Sequence, residues 1–411
     1  MEKTVAIIAT LDTKGAEIKY VKGRIEAEGL KTLVIDSGIR GRPLDLVPDI
    51  DRVEVARAAG RTIEELVPLP RGTAVHLMAD GLRAVVLKLY ASRRIDGVLS
   101  IGGLEGTVLG TSAMKALPLG VPKLMVTPMA SGSYQFGPFV GEKDVMILHS
   151  VTDILGVNPL SKTVFDNAVN AMVGMVRGSD LPISWGEKKL IGVTMMGNTT
   201  PAVMIMKRLF EAAGYNLVIF HANGTGGKSM ESLVRDSVFS GVLDFTPHEI
   251  TDYIAGGDCA GGPERLDAAC ETGTPQVIVP GGMDYIVQVV QGKREDIAPK
   301  FEGRPFYLHN PVTVLIRASG EEMELAGKFI ADKLNRAKGP ARVIVPTRGF
   351  SMYCHPGEPL HDPEADRRLM KALRENLGPR VGYEEVDAHI NDEGFAKLVF
   401  EATIQSIKEA R

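Results

Sequence analysis

The feature that most constrains this chain is that its second half repeats its first. Laying Phe210-Glu-Ala-Ala-Gly214 over Ile25-Glu-Ala-Glu-Gly29 brings the apolar run ending at His221 onto the run ending at Asp36. Further along, Ser240-Gly-Val-Leu243 answers Asp96-Gly-Val-Leu99, and Gly273-Thr-Pro-Gln-Val-Ile-Val279 answers Gly120-Val-Pro-Lys-Leu-Met-Val126, in the same order. The repeating unit opens with Val5-Ala-Ile-Ile8, an amphipathic stretch from Ile18 to Ala27, Gly29 as a stop, and Thr32-Leu-Val-Ile35. That is strand, helix, strand. The runs are short and continuously apolar, as strands are when a parallel sheet is covered on both faces. The expected fold class is α/β, with two similar Rossmann-like domains, mainly parallel sheets and an interdomain cleft. The turn-rich stretch Gly178-Ser-Asp-Leu-Pro182 sets the expected division at 1–183 and 184–411, and the C-terminal strand Arg342-Val-Ile-Val-Pro346 belongs to the second domain.

A chain of 411 residues exceeds what one core of about 250–300 residues holds, which agrees with two domains. The formal charge of -4 gives no long-range attraction to nucleic acid, so no nucleic-acid partner is expected. The three cysteines lack C-x-x-C spacing and read as reduced thiols, which points to the cytoplasm. The opening MEKTVAIIATLDTKG is too short in apolar residues for an export signal, and no apolar stretch reaches a membrane span, so no membrane partner is expected.

In a doubly wound sheet, ligands bind beyond the carboxyl ends of the strands, where helix N-termini aim free N–H groups. The residues with chemistry should therefore follow the strands. After the first strand comes Thr10-Leu-Asp-Thr-Lys-Gly15, in which Thr10, Thr13 and Lys14 suit phosphate and Asp12 suits Mg²⁺, though the same residues also suit a helix cap. Asp36 ends the second strand, where a carboxylate can accept from ribose hydroxyls. Gly102, Gly103, Gly106 and Thr107 follow the third strand, and Ser131 and Gly132 the fourth; such glycines serve either close ligand approach or tight turns.

The second half offers more acid-base chemistry at the matching places: His221, His248, Glu249 and Asp284, with His309-Asn310 and Asp387-Ala-His-Ile-Asn-Asp392 further on. Such a set suits a general acid-base pair or a metal site, and its spacing matches no compact ligand motif such as H-E-x-x-H. His221, Glu249 and Asp284 are the catalytic candidates. The stretch HANGTGGKS at 221–229 superficially matches a phosphate-binding P-loop, with Ala222 where the first glycine belongs. It follows the second strand of its unit, not the first. Gly224, Thr225, Gly226 and Gly227 are therefore expected to form a helix N-terminal anion site, with Lys228-Ser229 simply starting the helix.

At these loops the chain resembles a known family, the uncharacterised proteins similar to the ATP-binding N-terminal region of the tomato mosaic virus resistance protein. The resemblance rests on Thr10-Leu-Asp-Thr-Lys-Gly15, Ala130-Ser-Gly132, His221 through Gly227, His309-Asn310 and Asp387 through Asp392, and spans essentially the whole chain. It implies two Rossmann-like subdomains, ATP with Mg²⁺, and a homo-oligomer, with a dimer as the expected form. The chain departs from the family at Gly103-Leu-Glu-Gly-Thr107, where the family reads Gly-Ser-Gly-Gly-Thr, and Glu105 would stand beside the triphosphate.

The expected function is thus a cytoplasmic ATP-binding protein, with the nucleotide on the first domain and acid-base groups of the second acting on a small anionic substrate. The alternative is a non-catalytic two-lobed sensor or scaffold for a small-molecule ligand. Architecture alone would also suit a sugar-nucleotide isomerase.

Overall fold

The computed structural model describes residues 2–131, 137–179, 189–290 and 296–410. Its contacts divide the chain into two compact units, Met1–Ser184 and Trp185–Arg411.

The first unit contains β1 (Thr4–Ala9), α1 (Leu11–Ala27), β2 (Lys31–Asp36), α2 (Arg52–Ala58), α3 (Ile63–Leu66), α4 (Arg71–Ala91), β3 (Gly97–Ile101), α5 (Leu104–Ala116), β4 (Lys123–Thr127), α6 (Gly137–Val140), β5 (Met146–His149) and α7 (Pro159–Gly178). Its five strands are parallel and lie in the order β2-β1-β3-β4-β5. The continuous apolar runs are explained by helices on both faces. On β1, Val5, Ile7 and Ala9 pack with Ile18 and Val21 of α1 and Phe165 of α7, whereas Ala6 and Ile8 pack on the side of α2, α4 and α5. Each buried Val or Ile contributes about 1.5–3 kcal/mol, so Val5 to Ala9 are all apolar.

The second unit contains β6 (Lys189–Met195), α8 (Thr200–Ala212), β7 (Tyr215–His221), α9 (Gly226–Arg235), β8 (Gly241–Asp244), α10 (His248–Ala255), α11 (Asp267–Thr272) and β9 (Gln276–Ile278). There follow β10 (Tyr285–Val289), β11 (Phe306–Asn310), β12 (Thr313–Arg317), α12 (Gly320–Leu334), β13 (Ala341–Pro346), α13 (Pro363–Asn376), β14 (Gly382–Val386) and α14 (Glu393–Glu409). The main sheet is parallel, in the order β14-β13-β9-β8-β6-β7. Its run β7-β6-β8-β9 is the counterpart of β2-β1-β3-β4, so the repeat in sequence is a repeat in topology.

A separate sheet in the second unit has no counterpart among the described residues of the first. Strands β10, β12 and β11 form a separate antiparallel sheet inserted between β9 and α12. Ile286, Val314 and Ile316 pack it onto the core that α12 and α13 cover.

Candidate functional site

In the first unit the strand order reverses between β1 and β3, the place where a doubly wound sheet opens a crevice. A cavity of about 780 Å³ lies there. Its walls come from the loops after β1 (Thr10, Asp12, Thr13, Lys14), β2 (Gly38, Ile39, Arg40) and β3 (Gly103 to Gly106), and from the start of α4 (Arg71, Gly72, Ala74, Val75). Three helices, α1, α4 and α5, begin at this cavity, with N-caps Thr10, Pro70 and Gly103, and none of the three caps uses its side chain to satisfy the first helical N–H groups. The starts of α4 and α5 therefore keep their partial positive charge and first N–H donors for an anion, whereas at α1 the Leu11 N–H already donates to Asp36.

The charged side chains add to this. Lys14, Arg40 and Arg71 face Asp12 and Glu105, three cations against two carboxylates. Lys14 Nζ donates to the carbonyl of Ile154, a residue that does not line the cavity. Asp12 accepts from the Gly41 N–H at 3.2 Å, which leaves most of its acceptor capacity open. Glu105, the residue that departs from the family pattern, is held by Arg71 through Nε at 2.7 Å and Nη2 at 2.6 Å. Its charge is thus neutralised at the mouth by Arg71. Ile39, Ala74, Val75, Leu104 and Val108 give the cavity an apolar wall.

Three other residues expected at the ligand, Asp36, Thr107 and Gly102, are structural. Asp36 is buried and accepts from the N–H groups of Leu11 (3.1 Å) and Gly38 (2.9 Å), and burial raises its carboxyl above the usual range. Both bonds use Oδ1, which ties β2 to the start of α1. Thr107 is also buried, donating to the Gly103 carbonyl at 2.7 Å and sharing a 2.7 Å bond with Thr127. At Gly102 a Cβ would stand 2.8 Å from the Cα of Gly106, so that glycine serves a backbone crossing. Ser131 is exposed and does not line the cavity, and Gly132 lies outside the described residues.

In the second unit the loop 221–227 does bind an anion, but the anion belongs to the protein. Glu249 Oε1 accepts from Gly224 (2.7 Å) and Gly227 (3.1 Å), while Asn223 Oδ1 accepts from Thr225 and Gly226 at 3.3 Å each. The amides expected to cradle phosphate already have acceptors, which corrects the anion-site reading of Gly224, Thr225, Gly226 and Gly227. Glu249 itself is fully buried, its Oε2 2.8 Å from Arg265 Nε. Arg265, equally buried, also binds Glu231 (2.8 Å) and Asp244 (2.6 Å), so one guanidinium satisfies three carboxylates. An acid-base role for Glu249 toward a ligand is corrected accordingly, since both of its oxygens are engaged inside the core.

Asp284 is sealed as well. Its Oδ2 accepts from Ser351 at 2.6 Å, Oδ1 has no partner, and burial raises its carboxyl despite Arg317 at 4.0 Å. His221 is exposed at the end of β7. Among the described residues no hydrogen bond or ion pair joins His221, Glu249 and Asp284, so the three do not form one acid-base constellation. The stretch 387–392 is a clasp: Asn391 donates to Asn198 at 2.9 Å and accepts from Ala202, and Asp387 pairs with Arg348.

Sequence reasoning missed Arg40, Arg71 and Arg265. Arg71 follows Pro70 at a helix start, a signal for the helix but not for the cavity it faces. It also missed that His248, singled out for its position after β8, shares one buried spot with Asp252 and Cys259. The His248 Nδ1 donates to the Gly282 carbonyl at 2.8 Å and Tyr285 stacks on the ring at 4.7 Å. Burial works against a charged ring, but the Asp252 carboxylate and Cys259 outweigh it, and its pKa lies well above the usual histidine value.

The sequence comparisons agree with this architecture. Residues 3–180 match the N-terminal domain and residues 188–407 the C-terminal domain of the uncharacterised protein family UPF0261. A UPF0261 protein of Clostridium tetani is 43% identical over 398 residues, covering 96% of this chain and 97% of that one. The ToMV resistance protein Tm-1(GCR237) of Solanum lycopersicum is 32% identical over 430 residues, covering 99% of this chain and 56% of the plant protein. Among solved structures, a UDP-N-acetylglucosamine 2-epimerase from Rickettsia bellii aligns over 99% of this chain and 96% of its own, at 11% identity and a TM-score of 0.25, too remote to bear on chemistry. Two domain models that together span nearly the whole chain, and full-length relatives above 30% identity, place this protein in the UPF0261 family.

Proposed function

We propose that the first unit binds ATP with Mg²⁺ in the cavity beyond β1, β2 and β3. The observation that carries the reading is the meeting of three helix starts at one cavity, those of α4 and α5 without side-chain caps, together with Lys14, Arg40 and Arg71 in its lining. A volume of about 780 Å³ accommodates a nucleotide, and the apolar wall of Ile39, Val75 and Val108 suits a base. Asp12 and the hydroxyls of Thr10 and Thr13 supply the hard oxygen donors that Mg²⁺ takes alongside phosphates and water. The three unpaired cysteines accord with a reducing cytoplasm, where ATP is abundant.

Thermal denaturation with and without nucleotide tests this. ATP with Mg²⁺ at a hundred times its dissociation constant is expected to stabilise the protein by about 2.7 kcal/mol. The double variant Arg40→Ala, Arg71→Ala is expected to weaken binding roughly 100-fold, at about 1.5 kcal/mol per charge-assisted contact. An unchanged midpoint with ATP, ADP and AMP alike would remove the proposal.

Glu105 gives a second test of the same site, with the opposite sign. Glu105→Gln removes a carboxylate from the mouth and releases Arg71 toward the ligand, so ATP should bind about tenfold more tightly, a gain of ~1.4 kcal/mol. Weaker binding in this variant would mean that the Arg71–Glu105 pair is part of the site's architecture.

A second reading, binding without turnover, is favoured by the sealed settings of Glu249 and Asp284, which leave the second unit without the acid-base pair its sequence suggested. Product formation from ATP in a purified preparation, lost in the Arg40, Arg71 double variant, would favour the enzyme.

A further inference from the structure

We propose that His248, Asp252 and Cys259 form a divalent-metal site of the zinc class in the second unit. The metal-ligating atoms of the three residues all lie within 4.8 Å of one another, with His248 Nε2 3.4 Å from Asp252 Oδ1. Ligands around a tetrahedral zinc, at bonds of about 2.0–2.3 Å, stand roughly 3.3–3.8 Å apart. The cluster therefore needs only a small contraction to close on an ion.

The second observation is the histidine itself. His248 is fully buried at the start of α10, and among the described residues its Nε2 makes no well-formed hydrogen bond, with Asp252 Oδ1 3.4 Å away. Its Nδ1 is committed to the Gly282 carbonyl at 2.8 Å, which fixes the ring and leaves Nε2 free to ligate, 3.4 Å from Asp252 Oδ1. A backbone carbonyl on the far nitrogen is the usual support of a metal-bound imidazole.

The carboxylate is supported in the same way. Asp252 Oδ1 accepts from the Val287 N–H at 3.0 Å and Oδ2 from the Cys259 N–H at 2.8 Å, so the aspartate fixes the backbone of the cysteine beside it. Each oxygen keeps a further acceptor position for an ion. Gly257, between them in sequence, has no room for a Cβ, which would stand 2.4 Å from the Asp252 carboxyl carbon.

The arrangement does not suit a Cys-His-Asp nucleophilic relay. In a relay the carboxylate holds one ring nitrogen and the thiol faces the other. Here Nδ1 is taken by a carbonyl, Asp252 Oδ1 stands 3.4 Å from Nε2, and the Cys259 thiol belongs to the same cluster. Convergence on one point is what an ion requires.

Cys259 is only partly buried, whereas Cys270 and Cys354 are buried, so the thiol side is the way in and the place of an open fourth position. Binding takes the proton from the thiol and from Nε2 and hands both to solvent, as metal uptake by such ligands requires.

Cobalt substitution of the reduced, full-length protein tests the proposal. One equivalent of Co²⁺ per chain should give a near-ultraviolet thiolate-to-cobalt charge-transfer band that Zn²⁺ abolishes by displacement. Cys259→Ser should abolish the band, Asp252→Asn should raise the Co²⁺ dissociation constant about 100-fold or more, and Cys270→Ser should leave the band in place. In case a variant fails to fold, Zn²⁺ should also slow alkylation of Cys259 in the unaltered protein at least tenfold, read by peptide mass mapping. A folded, reduced protein with no band at one equivalent and no protection of Cys259 overturns the proposal, as does a band that survives Cys259→Ser.

Discussion

Arg265→Met is expected to destabilise the second unit by about 3–5 kcal/mol at neutral pH, because it strands Glu231, Asp244 and Glu249 in a core with no counter-charge. The three carboxylates cannot simply turn to water. Asp244 and Glu249 are fully buried, and Glu231 nearly so, its oxygens also accepting from Leu266 (2.6 Å) and Ala268 (2.8 Å). The loss should depend on pH in a direction that Glu231 makes clear. Burial raises its carboxyl, and Arg265 is the leading influence that pulls it down. Without the arginine, the folded pKa rises further above the unfolded one. A carboxyl shifted this way stabilises while protonated, below the unfolded pKa, and that contribution is lost as pH rises through the folded value. The deficit of the variant relative to the parent protein should thus be smallest near about pH 4 and grow toward neutrality. Calorimetric unfolding of both proteins across that range measures it, and a deficit under about 1 kcal/mol at every pH would show that the network is solvated in the folded state.

The same network explains what the sequence could and could not reveal. The parallel strands were legible because a strand buried on both faces must be apolar throughout, and Val5 to Ile8 or Leu190 to Val193 have no other economical reading. The cavity residues after β1 and β3 were legible because chemistry in a doubly wound sheet follows strand ends. Glu249 and Asp284 also follow strands, and there the rule misled: an acidic residue at a strand end looks the same in sequence whether it faces a ligand or a buried arginine. Arg265 stands in Gly-Gly-Pro-Glu-Arg, which reads as a polar loop, and nothing local announces that three carboxylates meet it. Arg40 and Arg71 join Lys14 only through the crossing of β2 and α4 over the sheet edge. The antiparallel sheet of β10, β11 and β12 escaped notice because the parallel repeat set the frame, and an insertion has no partner in the other half to mark it.

Gly226→Ala should cost about 3 kcal/mol, the upper end for overpacking, while Gly23→Ala, the same chemical change, should gain about 0.4–1 kcal/mol. A Cβ on Gly226 would lie 1.9 Å from the carbonyl oxygen of His221 and 2.7 Å from its carbon. Those are main-chain atoms of the last residue of β7, so no rotamer change relieves the contact. The start of α9 must instead move away from the strand, drawing Gly224 and Gly227 off Glu249 and loosening the network around Arg265. Gly23 is exposed in the middle of α1 with open space where the Cβ would go, so alanine there only reduces the entropy of the unfolded chain and improves helix propensity. The pair separates two meanings of a glycine-rich loop. If the glycines at 224–227 served the close approach of a ligand, Gly226→Ala would leave unfolding unchanged and affect binding alone. If they serve the close approach of the chain to itself, the loss appears in denaturant titration of the ligand-free protein. Equal midpoints for Gly226→Ala and the parent would return the loop to the ligand.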